Sequence, residues 1–309
     1  MILSVVIPTR DRPRSLARCL EALSRERGLG KRFEVIVVDD GSRSVAGAKN
    51  AALCAEIGFS YESLGRPRGP AHARNRGATR GGGEWICFVD DDVCVEQGYI
   101  ETLCARIGQA GREVVGIEGR TVPRGNGLWD GEVANLSGGR YLTSNIAYRR
   151  AAFLAAGAFN EAFTGPFGED HELAVRMLAK GRILFAPNVS VHHLPRNMTA
   201  RRALTRAPRR MWQLLRAEQT FYLLQPDDYA RFRHADSFRH TYRAILMRHA
   251  YTCVRRRSWT QIREHPRQAA ILILAGAIEQ LCAWMYLPPL CMNPRRSRRK
   301  TLRSGKGTP

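Results

Sequence analysis

"EWICFVDDDVCVE", residues 84–96, sets three consecutive aspartates directly after an apolar run, and the fold turns on how that junction is read. The run Trp85, Ile86, Cys87, Phe88, Val89 is short, rich in β-branched and aromatic residues, and follows Gly81, Gly82 and Gly83. It predicts a strand buried on both faces, which puts Asp90, Asp91 and Asp92 at its C-terminal end. In an open parallel sheet that edge is where ligands bind, because the loops leaving the strands line a crevice there. Three adjacent carboxylates repel one another unless a cation stands among them. A hard divalent ion, Mg²⁺ or Mn²⁺, held by one or two carboxylates and by the phosphates of a substrate, meets that need. Taken alone, the triplet suits an acidic loop or a helix cap equally well, since Asp is common in both.

The flanking sequence alternates strand and helix. "LSVVIPTRDRPRSLARCLEAL", residues 3–23, begins as a buried strand and breaks at Pro8. It resumes near Pro13 as a helix with apolar positions Leu16, Cys19, Leu20 and Leu23. "FEVIVVDDGS", residues 33–42, repeats the pattern: a strand over 33–38, a polar turn at Asp39, Asp40, Gly41 and Ser42, then a helix over 45–57. "FSYESL" reads as a short strand, and "GPAHARNRGATRG" as a helix starting after Gly69 and Pro70. Beyond the aspartates come a helix over 97–108 and a strand over 114–118. Strands separated by helices of this length predict an α/β fold, a mostly parallel sheet covered by helices. Both acidic loops, Asp39/Asp40 and Asp90 to Asp92, then share one edge.

A chain of 309 residues with 44% hydrophobic content supports one large domain with an appendage, or two domains. The formal charge of +21 points to a polyanionic partner: nucleic acid, an anionic membrane surface or an acidic glycan. Nucleic acid is disfavoured, because no recognition module is present and an acidic sheet edge repels phosphates unless metal intervenes. The eight cysteines form no CxxC pair, so they read as reduced core residues of a cytoplasmic protein. The N-terminus reaches Pro8 before any signal-peptide apolar region, so export by that route is not expected and the sequons at Asn135, Asn188 and Asn197 read as incidental.

"VVIPTRDR", "VIVVDDGS", "GPAHARNRGA" and "FVDDDV", followed by "SNIAYRRAAFLAAGAFNEAF", "GEDHELAVRMLAKG" and "PNVSVHH", form an ordered series across residues 5–193. As a series it resembles a family 2 glycosyltransferase with the GT-A fold. The resemblance implies transfer of a sugar from a nucleotide-diphosphate donor to an acceptor hydroxyl, with bound Mn²⁺ or Mg²⁺. It implies a nucleotide-sugar half over residues 1–120 and an acceptor half over 121–198. It puts Thr9 and Asp39, or its neighbour Asp40, near the base and ribose. Arg74 falls near the nucleotide, Asp90 towards ribose and metal with Asp91 beside it, and Asp92 on the metal. A metal bridging the leaving diphosphate would stabilise its developing charge without moving a proton. Arg74 and Arg76 suit bidentate phosphate contacts, and suit a solvated helix face as well.

"GEDHEL" sets Glu169, Asp170 and Glu172 in the first turn of a helix, where carboxylates are also stabilised with no catalytic duty. By resemblance Asp170 is the base that deprotonates the acceptor, with Glu169 as the alternative. One carboxylate then suffices for an inverting displacement. His193, or His192 beside it, would complete the metal site from the end of its strand. Asn145 would face the acceptor. Trp129 would do so from a Gly-rich lid spanning residues 121–141, although packing explains that Trp equally well.

Past residue 198 the chain becomes basic and helical. "ARRALTRAPRRMWQLLRAEQTFYLL", residues 200–224, contains Pro208, which is expected to break or kink the helix. "AAILILAGAIEQLCAWMYLPPLCM", residues 269–292, approaches membrane-spanning length, but Glu279 near its middle would cost about 2.5 to 3.5 kcal/mol. An interfacial helix attracted to anionic lipid therefore fits better than a span, with a buried closing helix as the alternative. The expected organisation is a catalytic domain over 1–198, a helical, membrane-associating extension over 199–294 and a basic tail over 295–309. Such a protein would sit at the inner face of the cell membrane, acting on a glycan or lipid-linked acceptor.

Overall fold

The computed structural model describes residues 2–26, 32–124, 133–194, 199–233 and 259–291. The chain divides into two compact units, residues 1–124 with 131–194, and residues 125–130 with 195–309. In the first unit the elements run β1 (Leu3–Thr9), α1 (Pro13–Ser24), β2 (Phe33–Asp39), α2 (Ser44–Ile57), β3 (Ser60–Ser63), α3 (Pro70–Arg80) and β4 (Trp85–Val89). They continue with β5 (Val93–Val95), α4 (Tyr99–Gly108), β6 (Val114–Pro123), β7 (Asn145–Arg149), α5 (Arg150–Ala155), α6 (Glu169–Leu178) and β8 (Arg182–His193).

The strands form one eight-stranded sheet in the order β3-β2-β1-β4-β7-β6-β8-β5. The first four run parallel. β7 is antiparallel to both β4 and β6, while β6 and β8 are parallel. Four of the seven strand pairs are thus parallel, as expected, with the reversal of β7 as the main departure. The described part of the link after β6, residues 124 and 133–144, holds no helix, and β7 returns from the edge at which β6 ends. β5 is a second departure: three residues past Asp92 pair antiparallel with β8.

All five residues of β4 are buried, as helices on both faces require. Trp85, Cys87 and Val89 join one apolar cluster with Leu16, Leu20 and Leu23 of α1 and Tyr99, Ile100 and Leu103 of α4. Ile86 and Phe88 join the other, with Phe153, Phe159 and α6 residues Leu173 and Met177. Phe88 lies 5.0 Å from Phe159 and 5.4 Å from Phe153, ring centre to ring centre, a spacing at which aromatic pairs attract beyond simple burial. α3 approaches β1 so closely at Gly77 that a Cβ there would overlap Val6 Cγ1. That approach matters because the next turn back carries Arg74.

The second unit contains α7 (Ala200–Leu224), α8 (Pro226–Arg233), α9 (Trp259–Glu264) and α10 (Pro266–Cys291). Thr199 caps α7 by accepting from the Arg202 N–H at 3.3 Å, and α7 runs on through Pro208 as one helix. α7 packs against α10. Glu279 faces inward, 3.7 Å from Arg210 Nη1 of α7, so the acid that interrupts the apolar sequence lies away from the open face. That open face carries Ala270, Ile273, Leu274, Ala277, Leu281, Trp284 and Met285 at helical spacing. Pro266–Met285 is long and apolar enough to cross a membrane by length and composition. Arg201, Arg202, Arg206, Arg209 and Arg216 of α7 are exposed. Arg255 to Arg257 and the tail over 295–309 lie outside the described residues.

Candidate active site

Parallel pairing sets Thr9 beside Asp39, and the extension of β4 reaches the same edge. Asp39 is fully buried and accepts from the Ser42 N–H (2.7 Å), Asn50 Nδ2 (2.8 Å) and the Tyr61 hydroxyl (3.0 Å). Asp40 instead accepts the Arg68 and Gly69 N–H groups at the entrance to α3. One aspartate closes its own turn and the other ties that turn to α3.

Asp90, Asp91 and Asp92 divide between two arginines. Asp90 accepts from Arg74 Nη2 at 2.8 Å. Asp91 accepts from Thr9 Oγ1 at 2.7 Å and Arg12 Nη1 at 3.0 Å. Asp92 shares that Arg12 nitrogen, also at 3.0 Å. Burial pushes the Asp91 carboxyl up to about 6, repulsion from Asp92 adds to the effect, and Arg12 and Thr9 oppose it. Burial alone would lower the Arg12 pKa, but Asp91 and Asp92 outweigh it and raise it.

His193 reaches this group because β5 and β8 pair Val93 with His193, and the Leu194 N–H donates to the Asp92 carbonyl at 2.8 Å. His193 Nε2 is buried, 3.4 Å from Asp92 Oδ1, with no hydrogen-bond partner among the described residues. His192 points to the opposite side of the strand, where its Nε2 meets Glu96 Oε1 at 3.0 Å. No ready-made group of three or more His, Cys, Asp or Glu ligands occurs among the described residues. An Asp–His pair nonetheless fits an ion that draws its remaining oxygens from water and substrate phosphates.

The second acidic centre begins α6, which Gly168 enters with φ +81°. Arg74 Nη1 donates to Glu169 Oε1 at 3.0 Å, so one guanidinium joins Asp90 to Glu169. At 4% exposed, Arg74 is no solvated surface residue. Arg76 is one: it turns away and pairs with Glu62. Burial first, then the neighbouring Asp170, raises Glu169 to about 7 against the pull of Arg74. Asp170 keeps a side chain 16% exposed and accepts its own helix's His171 N–H at 2.8 Å, which leaves it the more accessible carboxylate.

Asn145 lies beside Val89 across the β4–β7 pair, so it borders the edge. Its amide is engaged internally: it accepts from the Tyr99 hydroxyl and donates to the Arg120 and Val189 carbonyls. Trp129 lies outside the described residues. Two site residues escape sequence reasoning. Arg12, in the loop after β1, is the cation shared by Asp91 and Asp92, and its place just past a strand's C-terminal end was the available signal. Glu118 of β6 is buried and accepts the Gly139, Arg140 and Tyr141 N–H groups, fixing the approach to Asn145; nothing in its local sequence announces this.

The model of glycosyl transferase family 2 matches residues 4–159. Validoxylamine A glucosyltransferase of Streptomyces hygroscopicus subsp. limoneus is 31% identical over 222 residues, 58% of this chain and 48% of that protein. Pre-mycofactocin glycosyltransferase of Mycobacterium tuberculosis (strain H37Rv) is 32% identical over 211 residues, 62% of this chain and 42% of its own. The chain therefore spans about half the length of the curated relatives it matches. Among solved structures, S. aureus TarS 1–349 aligns with TM-score 0.57 at 15% identity, over 100% of this chain and 93% of that one. The mannosyltransferase PcManGT from Pyrobaculum calidifontis, in complex with GDP-Man and Mn²⁺, aligns with TM-score 0.53 at 18% identity, over 90% and 86%. At such identities the likeness shows the GT-A fold.

Proposed function

The chain belongs to glycosyl transferase family 2, and on that premise we propose that it moves a sugar from a nucleotide-diphosphate donor to an acceptor hydroxyl by a metal-assisted, inverting displacement. The observation that carries this reading is the buried His193 Nε2, which makes no hydrogen bond among the described residues and lies 3.4 Å from Asp92 on the edge that also holds Thr9, Asp39 and Asp90. Asp92 and His193 would hold Mn²⁺ or Mg²⁺, with Asp90 alongside. Held there, such an ion would neutralise charge developing on a leaving diphosphate. Thr9, Asp39, Asp40, Asp90 and Asp91 border the base and ribose, and Arg12 and Arg74 supply the positive charge around them. Asp170 takes the acceptor proton, since it is the accessible member of its pair. With one base and no second nucleophile, a single inversion at the anomeric carbon follows. The Mn²⁺ and GDP-Man held by PcManGT support the metal and the donor class.

The second unit would seat the enzyme at the inner face of the membrane, where a lipid-linked or other glycan acceptor is presented. Supporting this are the open apolar face of α10, exposed Arg263 and Arg267 near its start, and the basic run from Arg295 to Lys306 after it. Spanning is disfavoured, because α7 packs along α10 and would carry exposed Arg206, Arg209 and Arg216 into hydrocarbon at about 2.5 to 3.5 kcal/mol each. The test is a thermal-shift screen of the full chain against UDP, GDP, CDP and dTDP, with and without Mn²⁺. Stabilisation by a nucleotide only when Mn²⁺ is present is expected. Silence in a screen of demonstrated sensitivity overturns the donor site.

A further inference from the structure

We propose that Arg74 is a positioning residue shared between the two acidic centres, through which a metal-bound nucleoside diphosphate at the Asp90 side is sensed at Glu169, and the reverse. The guanidinium spans them directly, 2.8 Å to Asp90 Oδ1 and 3.0 Å to Glu169 Oε1. It has little freedom to leave. Its central carbon lies 5.7 Å from the Phe159 ring centre, and the next residue, Asn75, exchanges two hydrogen bonds of 2.9 Å with the Phe159 backbone. Gly77 fixes the same helix against β1. Arg74 Nε and Glu169 Oε2 are buried with no hydrogen-bond partner among the described residues, so the shared contact is the principal hold each has on the other.

One cation divided between two carboxylates cannot strengthen both contacts at once. A divalent ion that draws charge from Asp90 leaves Arg74 to Glu169, which tightens the start of α6 and with it Asp170. Reciprocity then requires that changing Glu169 alter binding at the Asp90 side. The inference rests on the reading of Asp90 as a neighbour of the donor nucleotide.

The test measures the dissociation constant of whichever of UDP, GDP, CDP and dTDP binds, with Mn²⁺, by calorimetric titration of the full chain. In Glu169→Gln, Arg74 is left to hold Asp90 alone, and binding weakens about fivefold to tenfold, the low end for coupled sites. Asp170→Asn changes the neighbouring carboxylate, which makes no hydrogen bond to Arg74, and shifts binding less than about twofold. In Arg74→Lys, which keeps the charge and the fold but cannot fork between two carboxylates, adding Glu169→Gln has no further effect. Equal behaviour of the Glu169 and Asp170 variants overturns the inference, as does a Glu169→Gln effect that persists in the Arg74→Lys background. If the unaltered chain binds no nucleotide with Mn²⁺, the donor reading falls first and the inference falls with it.

Discussion

In the first unit Trp85 is 1% exposed while carboxylates crowd one edge of the sheet; in the second, Trp284 is 59% exposed while Glu279 is turned inward onto Arg210. The same chain therefore treats the same residue types in opposite ways. Burying charge is costly unless it is paired, and leaving large apolar side chains in water forfeits the main force that folds proteins. Each unit departs from the ordinary arrangement at one place, and that place is where its partner is to be sought: cations and phosphates at the acidic edge, an apolar surface along α10. The arginines follow the same division. Arg12 and Arg74 are bound into carboxylate networks, whereas Arg201, Arg202, Arg206 and Arg209 stand open.

The contrast breaks most sharply at Asp170. Asp170→Asn should lower kcat, read as release of nucleoside diphosphate, by about 10³-fold, in the middle of the range for a general base, with nucleotide binding preserved. A variant that loses binding and turnover together would erase the division between donor and acceptor carboxylates. Next in size, Asp92→Ala should remove the Mn²⁺-dependent part of nucleotide stabilisation. For a ligand at about 100 times its dissociation constant that part is about 2.7 kcal/mol, visible in melting curves. Leu281→Glu on the open face of α10 should weaken partition into phosphatidylserine vesicles about tenfold while leaving the melting temperature in place. Unchanged partition would mean that the stripe does not face lipid. The smallest effect sharpens the view of the first unit as tightly packed. Gly77→Ala should cost about 1 kcal/mol, because overpacking against Val6 of about 1 to 3 kcal/mol exceeds the helix-propensity gain of about 1 kcal/mol, as denaturant titration would show.

Much of the first unit can be read from its sequence. Apolar runs such as residues 85–89 admit few structures other than buried strands, and their alternation with helices gathers Asp39 and Asp90 to Asp92 on one edge whatever the details. The reversed β7 is hidden because a direction change leaves no mark on hydropathy, and β5 because three residues show no period. The sequence leaves Arg74 open between a phosphate contact and a solvated face, since α3 is polar in composition, and it hides the carboxylates at the end of β4 and the start of α6 that make its burial tolerable. In α10 nearly every residue is apolar, so no periodicity distinguishes the packed face from the open one. Which way Glu279 points is settled by α7, far away in sequence.

The pairing of β5 with β8 acts on the histidines as a reading frame. Substituting His192 alters a contact with Glu96, but sliding β8 by a single residue against β5 would exchange the two side chains' directions and present Asp92 with the other neighbour. Point changes in the paired segment Val191–His193 are thus graded in their effects, whereas a change of its register is all-or-none. Changes of length are tolerated upstream, where residues 187–189 already stand out of register with β6.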